Sequence, residues 1–276
     1  MITKRLQHRL FLLTDKIPNI KCFFKNPLPV TTINKQKRMT DNVILLLLYG
    51  ISAGLFMGLL QYAKAKRANR LFDDRGEVVT SPVLLLLHVA GILLFGLMPL
   101  LVKHTAGIHF FASNSTAGGA TALSALLLVA VIFVAPRLAL KEAQLHKRIA
   151  PVRQQPPFAY LAAYFLLRIA FIVAYECWFR GFLLMDSVAQ FGVPVAVCIN
   201  VALYTLLHTV NGKKEMLGCI PFGLLLCSLC IWMGVVWPAI LLHLALTLCY
   251  ETTLLHQQKI LQHENSGHRR KRLHRA

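Results

Sequence analysis

Seven long apolar segments dominate this sequence and restrict the folds that are open to it. They cover residues 43–62, 82–102, 121–140, 158–184, 193–208, 216–233 and 236–255. About 20 apolar residues in a helix cross the hydrocarbon core of a bilayer, where backbone polar groups must be satisfied within the segment. Charged residues make up only 15% of the chain, whereas soluble domains carry roughly 25%. We therefore predict an all-α fold, a polytopic transmembrane helical bundle of about seven spans.

The net charge of +19 comes from Lys and Arg residues that lie almost entirely outside the apolar segments. They cluster near the N-terminus, in the loops 63–81 and 137–157, after the fifth segment and in the tail. This distribution is typical of the positive-inside rule and of contact with anionic lipids, and it argues against nucleic acid as a partner. We expect a multi-pass protein of a bacterial cytoplasmic membrane, with the basic loops and the C-terminus in the cytoplasm.

The basic N-terminal segment, residues 1–42, does not fit this topology. Nine Lys and Arg residues lie within residues 1–38 and would be on the outer side of the membrane. Our hypothesis is that translation begins at Met39, or that the segment is a disordered tail. The next region, 43–150, is expected to hold three transmembrane helices with their loops, and 257–276 a basic cytoplasmic tail.

Ionisable side chains within the apolar segments are costly in a bilayer, so each is expected to have a partner or a function. Glu176 and Arg180 are four residues apart on one helix face, so a buried salt bridge is the simplest interpretation. His208 and His243 lie on two other segments, which favours a shared polar site, because Glu and His together suit the activation of water. The residues alone leave both interpretations open.

Three short motifs follow one another on successive apolar segments. They read Y-E-C-W-F-R-G at 175–181, Y-T-L-L-H at 204–208 and H-L-A-L-T at 243–247. Together they resemble the motifs E-E-x-x-x-R-G, F-x-x-x-H and H-x-x-x-N of the CPBP family. These are the CAAX-type and bacteriocin-processing intramembrane proteases, also called Abi proteins. The resemblance implies that residues 151–256 form a CPBP-like catalytic bundle.

The resemblance implies an intramembrane endopeptidase that hydrolyses a peptide bond in a membrane-associated or lipidated peptide. In the family, a glutamate of the first motif and the histidine of the second activate a water. The histidine and asparagine of the third motif stabilise the oxyanion. The corresponding residues here are Glu176 as base with His208 as its partner, His243 and Thr247 on the oxyanion side, and Arg180 with Arg168 as orienting or neutralising cations.

Two positions depart from the family pattern. Tyr175 stands where the first glutamate is expected, and Thr247 stands where the asparagine is expected. Adjacent helical residues point about 100° apart, so Glu176 reaches the place of residue 175 only if the helix rotates. The alternative to a protease is therefore a catalytically impaired relative that acts as a membrane binding or scaffold protein.

Glu176, His208 and His243 are also conceivable zinc ligands, since zinc accepts both carboxylate and imidazole groups. The three residues lie on three separate segments, without the local H-E-x-x-H spacing of a typical zinc protease. We therefore expect no cofactor, with divalent zinc as the alternative.

Overall fold

The computed structural model describes residues 32–73, 76–97, 99, 118–146 and 156–273 of the chain. The side chains that it describes are those of residues 46–73, 76–97, 99, 118–144 and 156–260. By its internal contacts the chain divides into two units, Met1–Ile44 and Leu45–Ala276.

Helices account for nearly all of the described residues. They are α1 (Thr32–Ala65), α2 (Pro82–Ile92), α3 (Gly118–His146), α4 (Phe158–Glu176), α5 (Leu184–Phe191), α6 (Val193–His208), α7 (Lys213–Met233) and α8 (Trp237–Leu273). A π-helical segment, Leu93–Leu97, extends α2, and another, Cys177–Leu183, joins α4 to α5. Across the described ranges there is one isolated β-bridge, between Phe72 and Val78, and no strand.

Six of the helical stretches are long and apolar enough to cross a membrane. They are Leu46–Ala65, Gly118–Gln144, Phe158–Phe191, Val193–Asn211, Lys213–Met233 and Trp237–Ile260. Within the second apolar segment the described helix is shorter, Pro82–Leu97, and residues 98 and 100–102 of that predicted span lie outside the described residues. The predicted polytopic helical bundle is confirmed, and the chain is an integral, multi-pass membrane protein.

The surface of the bundle is apolar, as a lipid-facing surface must be. Large aliphatic side chains point outwards from every long helix, for example Leu86, Leu126, Leu166 and Leu217. The buried polar set, by contrast, includes the ion pair of Glu176 and Arg180 together with Asn200 and His88. Polar groups therefore lie inside and hydrocarbon outside, which is the arrangement expected of a membrane bundle with a polar site.

Proline and glycine mark the helix boundaries around the site. Pro82 starts α2, at a position where a backbone N–H would have no partner within the helix. The Ser81 hydroxyl caps the helix by accepting a hydrogen bond from the Val83 amide at 3.2 Å. Gly192 has φ of 78° between α5 and α6, a conformation that glycine adopts without strain. This sharp turn brings α6 back alongside α5, against which it packs.

A cluster of aromatic rings packs α1, α4 and the two π-helical segments together. Phe95 is fully buried at its centre, with ring centroids 4.8 Å from Phe56, 4.9 Å from Trp178 and 5.4 Å from Tyr175. Buried aromatic pairs in such tilted and edge-to-face arrangements add to the stability gained from packing. Tyr175 is therefore held in a fixed position by its neighbours on several helices.

The two ends of the chain differ in how much of them is described. The predicted N-terminal segment is helical over 32–42, as the first turns of α1, while residues 1–31 lie outside the described residues. At the other end, α8 continues through most of the predicted basic tail and ends at Leu273.

Candidate active site

A cavity of about 980 Å³ opens within the second unit, bordered by every helix of the bundle except α5. Its wall contains five of the seven residues singled out in the sequence: Arg168, Tyr175, His208, His243 and Thr247. Glu176 and Arg180 are fully buried behind that wall. The three motifs therefore do converge, but they divide between a cavity surface and a sealed layer beneath it.

Tyr175, rather than Glu176, faces the cavity at the end of α4. Its ring lies 6.4 Å from the ring of His208 and 6.1 Å from the ring of His243, and its hydroxyl has no hydrogen-bond partner among the described residues. The next residue, Glu176, points about 100° further around the helix axis, as expected for adjacent helical residues, and therefore does not face the cavity. The helix rotation that would bring Glu176 into the cavity is absent from α4.

The Glu176 carboxylate lies between two cationic or hydrogen-bonding partners. Its Oε2 is 3.0 Å from Nη1 of Arg180, and its Oε1 is 2.5 Å from Nδ1 of His243 on α8. The predicted salt bridge between Glu176 and Arg180 is therefore present. The sequence analysis made His208 the partner of Glu176, whereas the contact runs to His243. Glu176 thus connects α4 to α8.

Arg180 lies in the π-helical segment that follows Glu176. A wide turn of this kind is marked by an i→i−5 hydrogen bond, here from the Leu184 amide to the Phe179 carbonyl. The guanidinium carbon is 4.5 Å from the ring centroid of Tyr204 on α6, within the range of a cation–π contact. Arg180 therefore adds a contact to α6 while its charge is balanced by Glu176.

His208 ends α6 and lies on the cavity wall. Its Nδ1 is 2.8 Å from the carbonyl oxygen of Tyr204, which can only accept a hydrogen bond. Nδ1 must therefore carry the proton, and in a neutral ring the lone pair is on Nε2. That Nε2 lies 4.0 Å from Oε1 of Glu215, in the first turn of α7.

His243 and Thr247 occupy successive turns of α8 and both line the cavity. Residues four apart on a helix share a face, which is why the histidine and the hydroxyl point towards the same space. Because Nδ1 of His243 meets a carboxylate, that nitrogen is the donor and Nε2 is left for other contacts. The two histidines on the cavity wall are therefore both hydrogen-bonded through Nδ1.

Arg168 has a partner that the sequence analysis did not include. Its Nη2 is 3.3 Å from Oε1 of Glu251, and the Tyr164 hydroxyl donates to the same carboxylate at 3.1 Å. Arg168 therefore neutralises Glu251 on α8, a carboxylate that the sequence analysis did not single out. Glu251 lies within the seventh apolar segment, so the rule that selected Glu176 also selects Glu251.

The expectation about metal ligands concerned Glu176, His208 and His243. Over the described part of the chain, no group of three His, Cys, Asp or Glu side chains is close enough to hold a metal ion. In addition, both oxygens of Glu176 face Arg180 and the Nδ1 of His243, so the carboxylate is already engaged.

One family model matches this part of the chain. It is described as type II CAAX prenyl endopeptidase, Rce1-like, and the match covers residues 155–249. That segment contains all three motifs and the helices from α4 into α8. No curated protein and no solved structure matches the chain.

Proposed function

We propose that the protein is an intramembrane endopeptidase, because residues 155–249 match the model of Rce1-like type II CAAX prenyl endopeptidases. Its substrate would be a membrane-associated or lipidated peptide that enters the cavity among α4, α6, α7 and α8. The observation that carries the proposal is the pair of histidines on the cavity wall. Each is held through Nδ1, so that Nε2 of both rings remains available for chemistry.

His208 is the general base in this proposal. The Tyr204 carbonyl fixes the tautomer with the Nε2 lone pair, which is the form that accepts a proton from water. The hydroxide formed in this way attacks the carbonyl carbon of the scissile peptide bond. The imidazolium of His208 then returns the proton to the leaving amine nitrogen as the carbon–nitrogen bond breaks.

Glu176 is a positioning residue in this proposal, which differs from the role of base that the family resemblance implied. Its carboxylate accepts a hydrogen bond from Nδ1 of His243 and so orients that ring on the cavity wall. A protonated His243 presents Nε2–H to the oxyanion, and the Thr247 hydroxyl lies one turn away on the same wall. Arg180 balances the buried charge of Glu176.

The test is cleavage by the purified protein in lipid vesicles, with an internally quenched peptide that ends in a prenylated CAAX sequence. We expect wild-type protein to cleave it and His208→Ala to be slower by about 100-fold or more, the typical contribution of a positioned base. Leu206→Ala, on the lipid-facing side of the same helix, is the matched control and should cleave normally. A His208→Ala variant with wild-type turnover and abundance would contradict the proposal.

A second function is favoured by one specific observation. Tyr175 occupies the cavity position and Glu176 is sealed against Arg180, so the first motif offers no carboxylate to the cavity. A non-enzymatic protein that binds a membrane-associated peptide in this cavity fits that arrangement. It predicts that wild-type protein retains the intact quenched peptide, with no cleavage over hours, and that His208→Ala binds it equally well.

The orientation in the membrane is part of the proposal. With the basic loops and the C-terminus in the cytoplasm, α1 crosses the membrane from the outside, and the loop after α1 and the part of the cavity wall at Lys213 lie on the cytoplasmic side. The basic loops would then contact anionic lipids. Single cysteines placed in the loop after α1 and in the tail, labelled by an impermeant maleimide in intact cells, should both be protected.

A further inference from the structure

The cavity lacks the carboxylate that its family uses beside the histidine of the second motif. Tyr175 has taken the place of that residue, and the remaining glutamate of the motif is buried behind the wall. A histidine alone is a usable base, but the water that it deprotonates needs a second acceptor to fix its orientation. A carboxylate close to Nε2 of His208 would supply that acceptor.

Glu215 is in that position. Its Oε1 lies 4.0 Å from Nε2 of His208, and both residues line the cavity. This separation is too long for a direct hydrogen bond, and it suits one bridging water at about 2.8 Å from each acceptor. The Glu215 side chain is 46% exposed, so water reaches it, whereas that of His208 is 16% exposed.

We propose that Glu215 is the carboxylate that orients the attacking water for His208, in place of the glutamate lost at Tyr175. The inference rests on the proposed endopeptidase function. It assigns to α7 a role that the family motifs place on α4.

The local structure explains why Glu215 stays beside His208. A short 3-10 turn, Thr209–Asn211, follows α6, and Gly212 then reverses the chain with φ of 110°. The Asn211 side-chain amide donates to Oε1 of Glu215 at 2.7 Å. Glu215 also lies in the first turn of α7, where the helix dipole favours a carboxylate.

The chemistry balances without any further reactant. One hydrogen of the water is bound by the Glu215 carboxylate, and the other passes to Nε2 of His208 as the oxygen attacks the carbonyl carbon. The carbonyl electron pair moves to oxygen and then returns as the carbon–nitrogen bond breaks. The His208 proton goes to the amine, so the products are a carboxylic acid and an amine, and both side chains return to their first state.

A purely structural role for Glu215 makes a different prediction. An exposed helix-terminal carboxylate with one amide partner contributes little to stability, and its loss leaves turnover unchanged. The kinetic parameters therefore separate the two roles. Removal of a group that acts only on the attacking water lowers kcat and leaves KM almost unchanged.

The experiment compares Glu215→Gln, Glu215→Asp and Glu142→Gln in vesicles with the quenched prenylated peptide. Glu142→Gln removes the same charge from another part of the cavity wall, on α3, and controls for a general charge effect in the cavity. We expect Glu215→Gln to lower kcat by about 100-fold with KM within about threefold of wild type. Glu215→Asp keeps the carboxylate and should regain about tenfold of that loss, and membrane abundance should be equal throughout.

Three outcomes are distinguishable. The expected kcat loss with partial rescue by Asp supports the inference. Wild-type turnover in Glu215→Gln overturns it and leaves the endopeptidase proposal in place, provided that His208→Ala is inactive. No cleavage by wild-type protein overturns the endopeptidase proposal and the inference with it.

Discussion

The buried ion pair between Glu176 and Arg180 leads to a direct prediction about the stability of the protein. Glu176→Gln keeps the size of the side chain and removes its negative charge. Arg180 is fully buried and would then lie beside an amide, with its charge unbalanced in the centre of the bundle. We expect a large loss of stability, because a buried charge without a counter-ion is among the costliest defects in a folded protein.

The size of the effect follows from the geometry. At 3.0 Å and an effective dielectric constant of about 20, the attraction between unit charges is about 5.5 kcal/mol. Removal of one partner from a buried pair typically costs about 3–5 kcal/mol, and we expect the free energy of unfolding to fall by that amount. The double variant Glu176→Gln, Arg180→Met removes both charges. Its loss in free energy of unfolding should be smaller than the sum of the two single losses, by about 2–3 kcal/mol.

The assay is unfolding by titration from mild detergent into SDS, followed by tryptophan fluorescence, for the two single variants and the double variant. Glu215→Gln is the matched control, because its side chain is 46% exposed and its loss should cost less than about 1 kcal/mol. The reasoning is refuted if Glu176→Gln costs no more than this control. It is also refuted if the two single effects simply add.

Three further changes test other contacts. Tyr175→Phe removes a buried hydroxyl that has no partner among the described residues, so stability should be unchanged or rise by up to about 1–2 kcal/mol in the same titration. Gly91→Ala places a Cβ 2.9 Å from Phe56 and closer still to another ring, and should cost about 1–3 kcal/mol, whereas Gly58→Ala meets open space and should cost nothing. Tyr49→Phe removes the 2.7 Å hydrogen bond to the Asp186 carboxylate and should cost about 1.5–3 kcal/mol.

The helical bundle could be predicted from the sequence because membrane spans obey a simple physical rule. Apolar length and the need for internal backbone hydrogen bonds leave few alternatives. The ion pair between Glu176 and Arg180 could be predicted as well, because residues four apart on a helix lie on the same face.

The direction in which each face of α4 points could not be predicted in the same way. In a soluble helix the polar face marks the outside, but here the polar residues of α4 lie inside the bundle, both on the cavity wall and behind it. Hydropathy therefore does not decide whether Tyr175 or Glu176 meets the cavity. The pairing of Glu176 with His243 depends on how α4 and α8 pack, and it has no signal in the local sequence. Glu251 did have such a signal, as an ionisable residue within an apolar segment.

The arrangement separates the charge that holds the helices together from the groups that face the cavity. Glu176 contacts α8 through His243 and balances Arg180, which in turn packs against Tyr204 of α6. A group with these structural contacts cannot move into the cavity without exposing the buried charge of Arg180. Glu176 therefore cannot supply a carboxylate to the cavity from α4. A carboxylate that assists His208 has to come from another helix, and among the described residues Oε1 of Glu215 lies 4.0 Å from Nε2 of His208.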